Sequence, residues 1–278
     1  MSDLTGKVAW IAGAARPPGI GRATAVQLAR LGADVACVDA VDDNAAGDPN
    51  QAYAVTAAAL EATAEAVRAE GRNALVLHVD LADEYAVNQS VAVTVRELGR
   101  IDIGCNLSGG TGPALGNGPL IDLDVDGWQT ALDINLTAAW LGSRACARQM
   151  IEQGDGGAIV SLSSSAAIAG AAGVGAFSAA RAGVNRITEV LATELGPHNI
   201  RVNAVCPRGI APGAVGNPGL VRRAERDSGG LEEWARQTIP LGRLQSADET
   251  AAVVVFLASD AASFVSGQSI VVAGGAHV

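Results

Sequence analysis

Residues 7–40 read KVAWIAGAARPPGIGRATAVQLARLGADVACVDA, and the order of patterns within them sets the fold class. Lys7–Ala12 is an apolar run of strand length. Gly21–Leu31 places Ala25, Leu28, Ala29 and Leu31 at helical spacing, and Val35–Val38 is a second short apolar run. Between the first strand and the helix lies GAARPPGIG. Glycines in such a turn let the backbone approach a pyrophosphate, and the helix N-terminus behind them supplies free N–H groups and partial positive charge. Gly13, Arg16, Gly19, Ile20 and Gly21 are the candidates for that contact. Asp39 closes the second strand about 20 residues after the glycines, where a carboxylate accepts bonds from adenosine ribose hydroxyls and repels a 2′-phosphate. Its bland alternative is a cap on the following turn. Strand, glycine turn, helix, strand and acid in this order predict a Rossmann-like, doubly wound parallel α/β sheet that binds NAD in preference to NADP.

The chain has 278 residues, 49% of them hydrophobic, enough to bury a core within a single domain spanning residues 1–278. A net charge of −10 disfavours nucleic acid and anionic membrane as partners and points to a small-molecule substrate. The apolar run Val8–Ala12 has no basic region before it and reads as a buried strand, and no run reaches the ~18 apolar residues of a membrane span. Cys37, Cys105, Cys146 and Cys206 are far apart, with no paired metal-ligand spacing, and read as buried reduced thiols of a cytoplasmic protein; no metal site is expected.

Residues 159–184, IVSLSSSAAIAGAAGVGAFSAARAGV, open as a strand, pass through three serines and end in a helix. Phe177 and Arg181 are four positions apart and share a helix face. This stretch and the glycine turn together resemble the short-chain dehydrogenase/reductase superfamily, and the likeness extends over about residues 5–276. In that family a Ser is followed by a Tyr and, four positions later, a Lys. Here the serine is Ser164, the tyrosine position holds Phe177 and the lysine position holds Arg181. The glycine turn exceeds the family's usual spacing by Pro17 and Pro18, a length similar to that in divergent enoyl reductases of the same superfamily. Further implications of the resemblance are Asp80 and Leu81 beside the adenine, Asn106, Ser108 and Gly109 at the cofactor ribose, and Pro207, Gly209 and Ile210 beside the nicotinamide. Asn135 matches the family's water-chain anchor, or makes a plain structural hydrogen bond. Arg208 stands where the family has a Pro-Gly pair, and meets an anionic substrate, the cofactor's phosphates or solvent.

The remaining elements are expected as a helix over Val55–Glu70, a strand over Ala74–Val79 with His78 in the core, a strand over Ile101–Asn106 and one long helix over Trp128–Met150. A strand over Arg201–Val205 follows. The insert near 41–54 is either a solvated loop or a cover on bound NAD, as in a related subgroup, and 211–238 reads as a mobile substrate lid. The pocket walls, 110–120, 166–175 and 211–238, are mostly small and apolar and suit an apolar alcohol or ketone. The resemblance implies about seven strands and a dimer or tetramer, with Thr250–Leu257 and Ser269–Ala273 available for pairing.

Phe177 keeps the ring of a tyrosine and lacks its proton, and Arg181 stays charged near neutrality. Three functions fit. One is an atypical NAD-dependent oxidoreductase whose proton comes from water, Ser164, the substrate or a neighbouring subunit. Another is a non-catalytic subunit in a hetero-oligomer with an active paralogue. The third is a deliberately inactivated variant, which the spread of further changes over NLSGG, PRG and AGG argues against. A redox-neutral reaction on the same scaffold also stays open.

Overall fold

The computed structural model describes residues 3–44, 55–211 and 218–276. Seven strands, β1 (Val8–Ala12), β2 (Asp34–Asp39), β3 (Ala74–His78), β4 (Ile103–Asn106), β5 (Gly157–Leu162), β6 (Ile200–Pro207) and β7 (Ser269–Val272), form one parallel sheet. Their order is β3-β2-β1-β4-β5-β6-β7. The chain winds outward from β1 to β3, then returns to lay β4 on the other side of β1. Loops leaving the C-terminal ends of β1 and β4 therefore run apart, and a crevice opens between them.

The described helices are α1 (Ile20–Arg30), α2 (Ala57–Ala69), α3 (Glu84–Leu98), α4 (Val125–Leu132), α5 (Ala138–Gln153), α6 (Gly175–Leu195), α7 (Pro218–Ser228), α8 (Leu231–Thr238) and α9 (Ala247–Ala258). Residues of α1, α2 and α9 pack on one face of the sheet, and those of α3, α5 and the end of α6 on the other. With both faces covered, the interior strand β1 is buried along its whole length, which is why its sequence is a continuous apolar run rather than an alternation. Trp10 of β1 is fully buried, and its indole N–H donates to Ser90 Oγ at 3.0 Å. Gly142 of α5 lies flat against it, since a Cβ there would come 3.1 Å from the Trp10 ring and 2.0 Å from Asn106 Oδ1.

Several expectations need correction. His78 is exposed, not in the core, because β3 is the edge of the sheet and only partly covered. The long helix expected over Trp128–Met150 is two helices, α4 and α5, joined by a π-helical turn at Asp133–Thr137. The apolar helix named for pairing divides between core and surface: Thr250, Ala251, Val254, Val255 and Leu257 of α9 are buried, while Ala252 and Phe256 are exposed. Within the lid, α7 and α8 are regular helices separated by Gly229 and Gly230 at positive φ, while residues 212–217 lie outside the described residues. The insert is described only at its ends. Val41 bridges Val55 in parallel, and the Asp42 N–H donates to the Val55 carbonyl at 2.9 Å; residues 45–54 lie outside the described residues.

Candidate active-site cleft

The turn after β1 is held by its neighbours on both sides. The Gly13 and Ala14 N–H groups donate to the Val38 carbonyl, and the Leu107 N–H donates to the Ala12 carbonyl. Gly13 has φ +87, and a Cβ there would lie 2.5 Å from the Ser108 nitrogen. At Gly21 a Cβ would lie 2.0 Å from the Gly13 carbonyl oxygen. These two positions admit glycine because the turn folds back on its own backbone and on the β4 loop. Gly19, the N-cap of α1, has no side-chain cap, so the first N–H groups of the helix face the cavity uncapped by Gly19. That cavity, about 80 Å³, is lined by Gly13, Arg16, Ile20, Gly21, Asp39, Val55 and the Leu107–Gly109 loop. The Pro17-Pro18 peptide bond is cis.

Asp39 sits at the end of β2 and is mostly buried. Its Oδ2 accepts the Ala15 N–H at 2.8 Å and its Oδ1 the Ala40 N–H at 3.0 Å. Burial raises its pKa from 3.8 to about 6, opposed by those two N–H groups and by Arg16. Each carboxylate oxygen keeps a lone pair for a ligand hydroxyl. The raised pKa has two consequences of opposite sign. The free fold binds the extra proton more readily than the unfolded chain, so Asp39's contribution to stability falls as pH rises from 3.8 to about 6. A ligand that needs the carboxylate gains affinity over the upper part of the same window. Titration of NADH by calorimetry is expected to give roughly tenfold weaker binding at one pH unit below the Asp39 pKa than at neutrality. In Asp39→Asn this pH dependence is expected to vanish.

The small cavity opens past Gly109 and Leu162 into a cleft of about 750 Å³. Ser163, Ser164 and Ser165 line it from the end of β5, Phe177 and Arg181 from α6, Thr111 and Asn117 from the loop after β4, and Pro207–Ile210 from the end of β6. Ser164 caps the short 3-10 turn Ser165–Ala167, its Oγ accepting the Ala166 N–H at 3.1 Å. Phe177 is half-buried, with the Arg181 guanidinium carbon 5.3 Å from its ring centroid. Two of the Arg181 nitrogens are committed to backbone. Its Nη1 donates to the Leu162 carbonyl at 2.5 Å and its Nη2 to the Ser108 carbonyl at 3.0 Å, while Nε has no hydrogen-bond partner among the described residues. Burial lowers its pKa to about 10, so it remains a cation at neutral pH. Any side chain at Gly109 would meet it, with a Cβ 2.1 Å from Nη2.

Asn135, at the π turn, is completely buried and pins the loop after β4. Its Oδ1 accepts the Gly110 N–H at 3.0 Å, and its Nδ2 donates to the carbonyls of Gly110 and Ala131 at 3.1 and 3.0 Å. The Asn106 side chain points away from the cleft, into Ser143 Oγ and Ser161 Oγ at 2.9 and 3.3 Å, so only its backbone faces the crevice. Asp80 is exposed and its Oδ1 accepts the Ala82 N–H, while Leu81 is buried. Neither is among the residues lining the two cavities.

Residues 13–277 match the family described as enoyl-(acyl carrier protein) reductase. An uncharacterized NAD-dependent oxidoreductase of Mycobacterium tuberculosis is 35% identical over 274 residues, covering 99% of this chain and 97% of that one. The chain belongs to the short-chain dehydrogenase/reductase superfamily. Among solved structures, carveol dehydrogenase from Mycobacterium avium in complex with NAD has a TM-score of 0.89 at 34% identity, with 99% of each chain covered. A trans-4-hydroxycyclohexanecarboxylate dehydrogenase of Sinomonas cyclohexanicum is 35% identical over 275 residues, covering 97% of this chain and 92% of that one. Within this superfamily chain, the sequence did not single out Thr111, Asn117, Arg226 or Trp234, all of which line the cleft. The walls are mostly small and apolar, as expected, with three serines, Thr111, Asn117 and three arginines set among them. Arg226 and Trp234 lie within 211–238, the stretch expected as lid and pocket wall, and which of its side chains line the cleft depends on how α7 and α8 fold back. No helix among the described residues is long and apolar enough to cross a membrane.

Proposed function

We propose that this chain binds NAD(H) and catalyses redox exchange with a cyclic alcohol or ketone of mainly apolar body, using a proton route without a tyrosine. The cofactor's requirements fit the residues present. The uncapped N-terminus of α1 and the glycine turn suit the pyrophosphate, and Asp39 has lone pairs for the adenosine ribose. Arg16 lines the same cavity, and Gly109, Pro207, Gly209 and Ile210 border the adjoining cleft at the nicotinamide's end. Asn106 and Ser108 are assigned to the ribose through backbone, and Asp80 and Leu81 to the adenine edge. When bound, NAD supplies hydride acceptance or donation. Relatives that carry the names of cyclic-alcohol dehydrogenases support the substrate class.

The observation that carries the altered proton route is the cleft's own chemistry. Its described lining has serines, a threonine, an asparagine and arginines, and no side chain that exchanges a proton near neutral pH. Phe177 occupies the place assigned to the proton donor and Arg181 that of its lysine partner. Ser164 orients and polarises the substrate oxygen by donating its O–H, and water delivers or removes the proton. Arg181 holds the β4 and β5 loops together through Ser108 and Leu162 and contributes a fixed positive charge. The same lack of a titrating group favours a second function, a silent subunit paired with an active paralogue. Exposed Phe256 and Phe264, with Val271 of the edge strand β7, offer apolar surface for a homo- or hetero-oligomer.

Calorimetry with NADH and NADPH tests the cofactor half, with NADH expected to bind at least tenfold tighter because Asp39 repels a 2′-phosphate. Equal affinities would refute it. Turnover of a panel of cyclic alcohols by the wild type, alone and mixed with a neighbouring paralogue, separates the enzyme from the silent subunit.

A further inference from the structure

We propose that the substrate of this cleft carries a hydroxyl besides the oxygen that is oxidised or reduced, and that Thr111, on the loop after β4, recognises it. The proposal rests on the redox reading of the cleft for the first oxygen, and on the loop's own chemistry for the second. Thr111 lines the cleft with only 6% of its surface exposed, yet its Oγ1 has no hydrogen-bond partner among the described residues. Buried polar groups in folded proteins are nearly always paired, because an unpaired one bears the full cost of leaving water. Asn117, in the same wall, repeats the pattern with a buried, unpartnered Oδ1. Other polar groups around the cleft are engaged. Ser163 Oγ donates to the Arg181 carbonyl at 3.0 Å, Ser164 Oγ accepts the Ala166 N–H, and Asn135 is bonded through both side-chain atoms. Among the described residues, buried oxygens without a partner occur in the cleft lining on this one loop.

The loop is not free to relax and pair them. Asn135 holds Gly110 by its N–H and its carbonyl, and the Gly112 carbonyl accepts the Leu115 and Asn117 N–H groups at 2.9 and 3.1 Å. Thr111 is therefore set between two anchored neighbours, and the second of those bonds brings Asn117 back to the residue beside it. The Gly118 N–H donates to the Gly173 carbonyl at 3.0 Å, which ties the loop to the segment before α6. Because Thr111 Oγ1 is itself buried, it meets a ligand by rotation about χ1, which exchanges it with the methyl group and breaks no hydrogen bond. The chemistry selects a hydroxyl. A threonine O–H donates and accepts, whereas an amide oxygen only accepts. A ketone or carboxylate offers Asn117 no donor, and an ammonium would leave water for a wall with no Asp or Glu among its described residues. A hydroxyl serves either residue. A site built to bond a hydroxyl rejects the analogue that lacks it, because its own polar groups then stay unpaired.

The test is ligand-observed NMR titration of cyclohexanol and of the positional isomers of cyclohexanediol, with and without saturating NADH, against wild type, Thr111→Val and Thr111→Ser. Thermal unfolding of the same proteins accompanies it. The diols are the more strongly hydrated probes, so a cleft that recognises no second oxygen prefers cyclohexanol. The wild type is expected to bind at least one diol about tenfold tighter than cyclohexanol. Thr111→Val, of the same shape, is expected to remove that preference and to be at least as stable as wild type, since a methyl replaces an unpaired buried hydroxyl. Thr111→Ser is expected to keep the preference. Cyclohexanol binding as tightly as every diol, binding of none of the probes, or a preference untouched by Thr111→Val would overturn the proposal. So would a Thr111→Val that unfolds at lower temperature, which would give the hydroxyl a structural partner. A Thr111-dependent diol preference in a protein that oxidises no alcohol would leave the recognition standing while the redox function fails. Oxidation of cyclohexanol with no diol preference would do the reverse.

Discussion

Phe177→Tyr combined with Arg181→Lys is expected to raise turnover of cyclic ketones by on the order of 10²-fold, the usual worth of a positioned general acid. The tyrosine hydroxyl would enter a cleft that already holds Ser164, and the lysine would replace a guanidinium that cannot lose its proton near neutrality. The two changes belong together. Arg181 spans Leu162 and Ser108 with two nitrogens, and a single ammonium cannot serve both carbonyls and a ligand in the same geometry. Arg181→Lys alone is therefore expected to loosen the β4 and β5 loops without adding activity, and Phe177→Tyr alone to give a smaller gain. Steady-state oxidation of NADH, for the four combinations, measures this. No gain in the double variant would favour the silent subunit, and loss of an existing activity would mean that the native pair serves other chemistry.

Trp10→Ala is expected to destabilise the fold by about 3–5 kcal/mol, the typical cost of truncating a fully buried large aromatic. Trp10 sits on the interior strand β1 with no exposed surface, so water cannot fill the space it vacates. Removing the indole also takes the donor from Ser90 Oγ and the flat partner from Gly142. Because β1 leads directly into the glycine turn, NADH binding is expected to weaken along with stability. Urea unfolding with an unchanged slope checks the first effect. A loss below about 1 kcal/mol, well under that range, would mean that the surrounding helices collapse onto the vacancy.

Much of the fold was legible because its signals are local. The apolar run at β1, the glycine turn and Asp39 lie within a single span of the chain, and their spacing alone implies the parallel winding. What failed depends on which neighbour covers a surface. His78 ends a strand as apolar as its neighbours, and nothing in ALVLH marks β3 as the sheet edge. The sequence of α9 is apolar almost all round, so it does not reveal that α1 and the sheet take most of it and leave Phe256 outside. In the site, Ser164, Phe177 and Arg181 were found from one contiguous stretch. Sequence gave no means of learning that Arg181 spends its donors on backbone carbonyls, because one of them, on Ser108, is 73 positions away. The wall stretch 211–238 was marked, but not that Arg226 and Trp234 are the side chains it brings to the cleft.

The π-helical turn at Asp133–Thr137 bears on how this scaffold tolerates change. A five-residue hydrogen-bonded loop in place of the usual four amounts to one extra residue lodged between α4 and α5. Each residue of an α-helix advances its rotation by about 100°. Deleting one residue here and restoring a regular helix would dephase α4 from α5 by that angle. Either Asn135 would swing off Gly110, or the Trp10-facing side of α5 would turn from the sheet. The bulge thus acts as a phase adjuster. It lets α5 keep the rotation its packing demands while Asn135 keeps the one that the cleft's loop demands, so substitutions at this junction are better tolerated than changes in its length.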